Sequence, residues 1–182
     1  MIIFNPIVTE RLLIRPFSRT DNIEHMSWFF DPLVIAKTIG GGENNPEPLE
    51  LRINRYIDHQ SKYGFSKWLV IERSSGKFIG DCGIVSMSFD GHILNDIGFR
   101  LASQYWRKGM GFEMSKSWIR AYFLVFPCNL LYAHAVSDNI KSKSLLSKLG
   151  FSYESPSIIF GEDFNRYSLD KSSWDANLKC HK

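Results

Sequence analysis

Two stretches of the chain hold residue types whose spacing could do chemistry. In the first, Gln104-Tyr105-Trp106-Arg107-Lys108-Gly109-Met110-Gly111-Phe112-Glu113, a β-rich run ends, a short polar turn follows, and two glycines one residue apart open an amphipathic helix. Free backbone N–H groups and the positive end of the helix dipole make such a start an anion trap, and glycine lets a phosphate or pyrophosphate approach the backbone. The pattern is not a dinucleotide fingerprint, because the third glycine of GxGxxG would fall at Met114, and the chain has no Gly-Lys-Ser/Thr of a P-loop. The bland alternative is a tight turn that uses glycine for steric reasons only.

The second stretch runs from Asn139 to Phe151 and contains Ser142, Lys148 and Gly150. On a 3.6-residue helix Ser142 shares the stripe of Leu145, Leu146 and Leu149, so a hydroxyl points where packing prefers an aliphatic group. Such local conflicts mark functional positions, although a buried serine can also satisfy itself on the carbonyl one turn back. His134, between Ala133 and Ala135 on a β-rich run, either faces a cleft as a base that titrates near neutrality or packs in the core. The other histidines show no ligand spacing and the three cysteines are scattered, so no metal site is supported. Cys82 sits in a strand and reads as a structural thiol.

These residues need a scaffold. Leu12 to Ile14 reads as a first strand, Asp21 as the cap of a helix through Trp28 and Phe29, and Leu49 to Tyr63 as a second helix. The stretch Gly40–Pro48 reads as a loop between them. Trp68–Glu72, Phe78–Ser86 and Asn95–Leu101 follow as strands, the first two as a hairpin. Met110, Met114, Trp118, Tyr122 and Phe126 descend one helix face until Pro127 stops it. Leu130–Val136 is a strand, Asp138 or Asn139 caps the next helix, and Gly150 ends it left-handed. Ile158–Phe160 and Tyr167–Leu169 close the chain as a hairpin. The order βααβββαβαββ predicts an α/β (α+β) fold with one mixed sheet in a single domain, 1–182.

Composition bounds the function. At 182 residues the chain is one domain large enough to bury a core without staples. No apolar run approaches the ~18–20 residues of a membrane span, the N-terminus lacks secretory-signal features, and the cysteine usage predicts a reducing cytoplasm. A net charge of +3 without a basic stripe argues against nucleic acid and in favour of a small anionic ligand. Five tryptophans could cover either a core or a homodimer interface.

Together the motifs resemble the GNAT superfamily of acyl-CoA-dependent N-acyltransferases, and within it the Rim-type branch that acetylates ribosomal-protein N-termini. The resemblance runs through Thr9-Glu10-Arg11-Leu12-Leu13-Ile14-Arg15, Trp28-Phe29-Phe30-Asp31-Pro32, Ile97-Gly98-Phe99, Tyr105 to Gly111, and the Asn-x-x-Ser-x-x-x-Leu-x-Lys-x-Gly-Phe pattern from Asn139 to Phe151. It implies a splayed, mostly antiparallel sheet flanked by helices, with the cofactor inserted between the strand ending at Leu101 and the one starting at Leu130. By the same resemblance Arg107, Lys108, Gly109, Met110 and Gly111 would hold the pyrophosphate of acetyl-CoA. Phe99, Arg100 and Leu101 would run alongside its pantetheine arm, and Asn139 and Ser142 would sit near its sulfur.

The implied activity is transfer of acetyl to a primary amine by direct attack. The acceptor would be a protein or peptide N-terminus or a small amine, chosen by the first helices and the Gly40–Pro48 loop. Trp28, Phe29 and Phe30 would line its pocket or pack in the core. Many relatives carry a tyrosine where this chain has Leu146, which leaves Ser142 to hydrogen-bond the leaving sulfur. Asp96 stands where relatives place a carboxylate near the amine, and the base is Asp96, His134 or water. An acyl-CoA-binding sensor that performs no transfer is the alternative reading.

Overall fold

The computed structural model describes residues 5–38, 48–89, 91–159 and 161–180, with the side chains of 178–180 left aside. The expected loop at 40–48 lies outside these residues except for Pro48, as do Asp90 and Phe160.

Period-two apolar runs build eight strands: β1 (Ile7–Val8), β2 (Leu12–Pro16), β3 (Lys67–Glu72), β4 (Phe78–Phe89), β5 (His92–Leu101), β6 (Leu130–Val136), β7 (Ser152–Ile159) and β8 (Glu162–Asp170). They form one sheet in the order β1-β2-β3-β4-β5-β6-β8-β7, antiparallel everywhere except between β5 and β6. Those two parallel neighbours share a single register pair, Asp96 with Tyr132. By contrast β4 and β5 stay paired from Gly80–Leu101 to Phe89–His92. The sheet is therefore splayed in the middle, on the Leu101 side of Asp96.

The helices are α1 (Pro32–Ile35), α2 (Leu49–Tyr63), α3 (Met110–Val125), α4 (Ile140–Lys148) and α5 (Lys171–Cys180). Alternation along the strands sends neighbouring residues to opposite faces. On one face Trp68 meets Trp118 edge-on, and Cys82 Sγ lies 3.9 Å from Ser115 Oγ of α3. On the other, Asp81 accepts from Trp28 Nε1 and Arg100 donates to Tyr56 of α2. Trp28, Trp68 and Trp118 are all fully buried. Truncating any one of them to alanine would cost about 3–5 kcal/mol.

The α2 and β6 boundaries are those the periodicity predicts. Asp21 is a correction: it caps no helix but clamps Arg15 at 2.6 Å and takes the Ser18 N–H, while Asn22 caps a short 3-10 turn, Ile23–His25. A second 3-10 turn, Ser27–Phe29, carries Trp28. Strands β4, β5, β7 and β8 outrun their expected lengths. Strand β1 and helix α5 were not expected; α5 buries Trp174 against Phe123.

Candidate active site

The splay between β5 and β6 opens into a cavity of about 360 Å³. Its walls come from both faces of the sheet. Lys67, Asp96, Gly98, Arg100 and His134 line it on the α2 face, and Ala133, Ala135 and α4 line it on the other. Two alanines leave room where larger residues would fill the gap, so the cavity passes through the sheet.

On the α2 face, Asp96 and His134 project from adjacent strands and meet, with Nδ1 of His134 2.6 Å from Oδ2 of Asp96. The His134 side chain is fully buried, and its Nε2 has no hydrogen-bond partner among the described residues. Nε2 is therefore the ring nitrogen not committed to Asp96. Burial pushes the Asp96 carboxyl above its ordinary value, against the hydrogen bond from His134 and the charge of Lys67. The two groups that the sequence offered as rival bases are thus one unit.

His59 also lines the cavity but is fully engaged. Its Nδ1 donates to the Phe65 carbonyl at 2.7 Å and its Nε2 accepts from Ser86 N at 2.9 Å. Burial, offset in part by that carbonyl, lowers its pKa and keeps it neutral.

Asn139 caps α4 as predicted, its Oδ1 accepting from Ser142 N at 3.1 Å. Leu146 and Leu149 face the core while Ser142 is only half-buried, because the stripe they share opens at its N-terminal end into the cavity. The serine in an apolar row is thus where the row stops packing. Phe99 and Arg100 line the same cavity. The Leu101 side chain instead lies in the core, and its carbonyl accepts from Trp106 Nε1 at 2.8 Å.

The Arg107–Gly111 loop forms the start of α3. Arg107 (φ 61°) and Gly109 (φ 78°) are both left-handed, which for arginine is a strained conformation of the kind kept at functional sites. No side chain caps the helix, so its first N–H groups stay open to an anion. A Cβ at Gly111 would sit 3.3 Å from Leu145, so this glycine also lets α3 pass close to α4. Arg11 secures the loop: its Nη1 donates to the Lys108 carbonyl at 2.7 Å and its Nε to Glu113 at 2.6 Å.

Lys67, Asp81 and Tyr56 escaped the sequence reading. Asp81 is fully buried beneath the cavity, 2.8 Å from Arg100 Nε and from Trp28 Nε1, and 3.4 Å from Lys67 Nζ. Burial works against its charge, but Arg100 and Lys67 prevail and hold the carboxyl below its ordinary value. Phe29 packs its ring under Arg100 at 4.3 Å, Trp28 is core, and Phe30 is exposed. None of these three aromatics lines the cavity.

A splayed sheet with an open helix start beside it and an Asp-His pair in the gap is the arrangement in hand, and comparison with known proteins decides the family. The family described as the acetyltransferase (GNAT) domain matches residues 11–152. The chain belongs to the GNAT acetyltransferases. Membership makes it an acyltransferase that moves acetyl from acetyl-CoA. A relative in Bacillus subtilis, the uncharacterized N-acetyltransferase YoaA, is 26% identical over 155 residues, 83% of this chain and 85% of that one. The ribosomal-protein-S5-alanine acetyltransferase from Vibrio fischeri shares the fold of this GNAT protein at a TM-score of 0.75 and 19% identity, covering 93% of this chain and 98% of that one. So does the spermidine N-acetyltransferase from Vibrio cholerae in complex with CoA and spermine, at 0.71 and 16%, covering 91% and 99%. Among the described residues, no group of His, Cys, Asp and Glu could hold a metal and no helix is long and apolar enough to cross a membrane.

Proposed function

We propose that the protein is an N-acetyltransferase in which the acceptor amine enters from the α2 face, the thioester of acetyl-CoA from the α4 face, and the two meet in the gap between β5 and β6. The observation that carries this reading is the Asp96–His134 pair, with its unpartnered Nε2, in a cavity that Ser142 and Asn139 line from the opposite face.

In this reading the Arg107, Lys108, Gly109, Met110 and Gly111 backbone receives the pyrophosphate and Phe99 offers its backbone to the pantetheine arm, while the Arg100 backbone is paired with Asp81 of β4, so that Arg100 contributes only its side chain to the cavity wall. The Leu101 carbonyl is already engaged, so its part is limited to its N–H and to the core packing that holds the strand end. The amine nitrogen attacks the thioester carbon and a C–N bond forms. The N–H proton passes to Nε2 of His134, while the Asp96 carboxylate accepts from Nδ1–H and stabilises the imidazolium that results. When the C–S bond breaks, its electron pair leaves with sulfur, and the Ser142 hydroxyl hydrogen-bonds the thiolate. A hydroxyl with a pKa far above neutral is a poor acid, so Ser142 positions the leaving group rather than protonating it. The amine is that of a peptide or protein N-terminus or of a small molecule, and a cytoplasmic setting, where acetyl-CoA is made and used, suits both.

The test is thermal unfolding with acetyl-CoA, NAD and ATP in separate samples, followed by CoA release with an amine panel. At about one hundred times its dissociation constant a ligand adds ~2.7 kcal/mol, a midpoint rise of roughly 5–10 °C for a domain of this size. A rise with acetyl-CoA alone is expected, and equal shifts with all three ligands, or none, would overturn the reading.

A further inference from the structure

Lys67 has no part in the chemistry above, yet the fold is shaped around it. It projects from the start of β3, crosses β4 and brings its ammonium over β5 at Gly98. A Cβ at Gly98 would lie 2.6 Å from Nζ and 2.7 Å from Cε, so the lysine tip lies directly over this glycine and would have to move aside for any larger residue. The side chain is 13% exposed, and what is exposed faces the cavity. Its one ion pair among the described residues is with Asp81, at 3.4 Å.

Arg100 shares that carboxylate. Its Nε takes Oδ2 of Asp81 at 2.8 Å, its Nη2 donates to Tyr56, and its guanidinium plane rests on Phe29. Asp81 lies beneath the cavity floor and does not line it, whereas both cations do. The carboxylate that does line it, Asp96, is taken up by His134. A lysine ammonium carries three donors, and one long ion pair leaves donors over for whatever enters. Asp96 also feels the charge of Lys67, but its carboxyl is hydrogen-bonded to His134, so an anion entering the cavity would meet two cations on its wall with lysine donors to spare.

We infer that Lys67, backed by Arg100, binds an oxyanion on the acceptor, so that the substrate is a small primary amine that also carries a carboxylate or a phosphate. The inference rests on the acetyl-transfer reading and narrows its acceptor. It excludes polyamines, whose second ammonium would face Lys67 and Arg100 at close range. It also gives the acceptor a fixed orientation, with the anion toward β3 and the amine toward His134, since Lys67 lies on the β4 side of Asp96 and His134 on the far side, on β6.

Four chain-matched amines test this: 4-aminobutyrate, 3-aminopropylphosphonate, butylamine and 1,4-diaminobutane, each with acetyl-CoA, reading CoA release and, with CoA present, binding heat. The two anionic amines are expected to exceed butylamine at least tenfold in kcat/KM, with the diamine last. In Lys67→Met that ratio of anionic to neutral amine should fall about tenfold, and Lys67→Arg should restore most of it. The thermal shift with acetyl-CoA serves as the fold control for each variant. Butylamine or the diamine matching the anionic pair would overturn the inference, as would anionic amines that are neither turned over nor bound, while a retained acetyl-CoA shift leaves the transfer reading standing. Loss of the acetyl-CoA shift in the parent protein would remove both.

Discussion

His134 Nδ1 and Asp96 Oδ2 stand 2.6 Å apart across the single register pair that joins β5 to β6. The point at which the two halves of the sheet touch is therefore also the point at which the proposed acid–base pair sits. A dyad set there is held by backbone pairing on one side and faces the open gap on the other.

Replacing His134 by Gln removes the proton acceptor of the proposed mechanism and should lower kcat by about 10²–10⁴ with acetyl-CoA affinity unchanged. Asp96→Asn should lower it as well, and the double variant should be no worse than His134→Gln, because residues acting as a unit are not additive. Steady-state kinetics of the three variants decides this, and additive losses would separate the pair.

The same carboxyl sets a pH dependence of stability. Burial raises the Asp96 pKa, so the folded protein holds this proton more tightly than the unfolded chain does. The stability this supplies is complete below the ordinary value of 3.8 and is lost as pH rises through the raised folded value. Asp96→Asn removes that loss, so the melting temperature of the variant relative to the parent should climb as pH rises above about 4 and level off once the Asp96 carboxyl of the parent is ionised. A flat difference across that range would deny the shift.

Asp81 carries the opposite sign. Its pKa is lowered, so its contribution is present above 3.8 and disappears as pH falls through the depressed folded value. Asp81→Asn leaves Lys67 and Arg100 without their buried partner and should cost about 3–5 kcal/mol at neutral pH, less in acid. Denaturant titrations at two pH values would measure both effects.

Arg11 touches no part of the cavity but holds the α3 start through Lys108 and Glu113. Arg11→Gln should raise KM for acetyl-CoA several-fold and leave kcat within about twofold, as expected when a positioning contact is lost from a binding loop. A fall in kcat alone would contradict that role.

Asn139→Ala removes the α4 cap and should cost ~1 kcal/mol of stability. It should also lower turnover by releasing Ser142 from its place, whereas Ser142→Ala should reduce turnover with little change in stability. Equal melting temperatures for the two variants would mean that the cap contributes nothing.

Much of the candidate site was legible before the structure. The Arg107–Gly111 loop, the Asn139 cap and Ser142 all announce themselves through local spacing, since caps and helix starts are decided within a few residues. Asp96 and His134 were each visible but not their union, which depends on two strands brought side by side by a parallel crossover. Lys67 was not visible at all. Its reach follows from cross-strand register, Lys67 with Gly83 and Gly83 with Gly98, and such pairing leaves no periodic trace in the chain. Asp21 misled because a capping residue type before a polar stretch looks the same whether its carboxylate takes backbone N–H groups of a helix or, as here, the Arg15 guanidinium. Helix α5 went unread because Trp174 is the one residue of its side-chain-described part that is buried, too little for a periodic stripe.

The splayed sheet also bears on how the molecule holds together without its substrate. Past Asp96, the β5 backbone up to Leu101 has β4 on one side and no register partner from β6 on the other. An extended donor carrying amide groups would lie there as an interstrand graft, joining β1–β5 to the β6-β8-β7 ribbon through its own hydrogen bonds. Without it, the ribbon hangs on one backbone pairing and on helix packing, so amide exchange should treat the two parts of the sheet as separate cooperative units that merge when the donor binds.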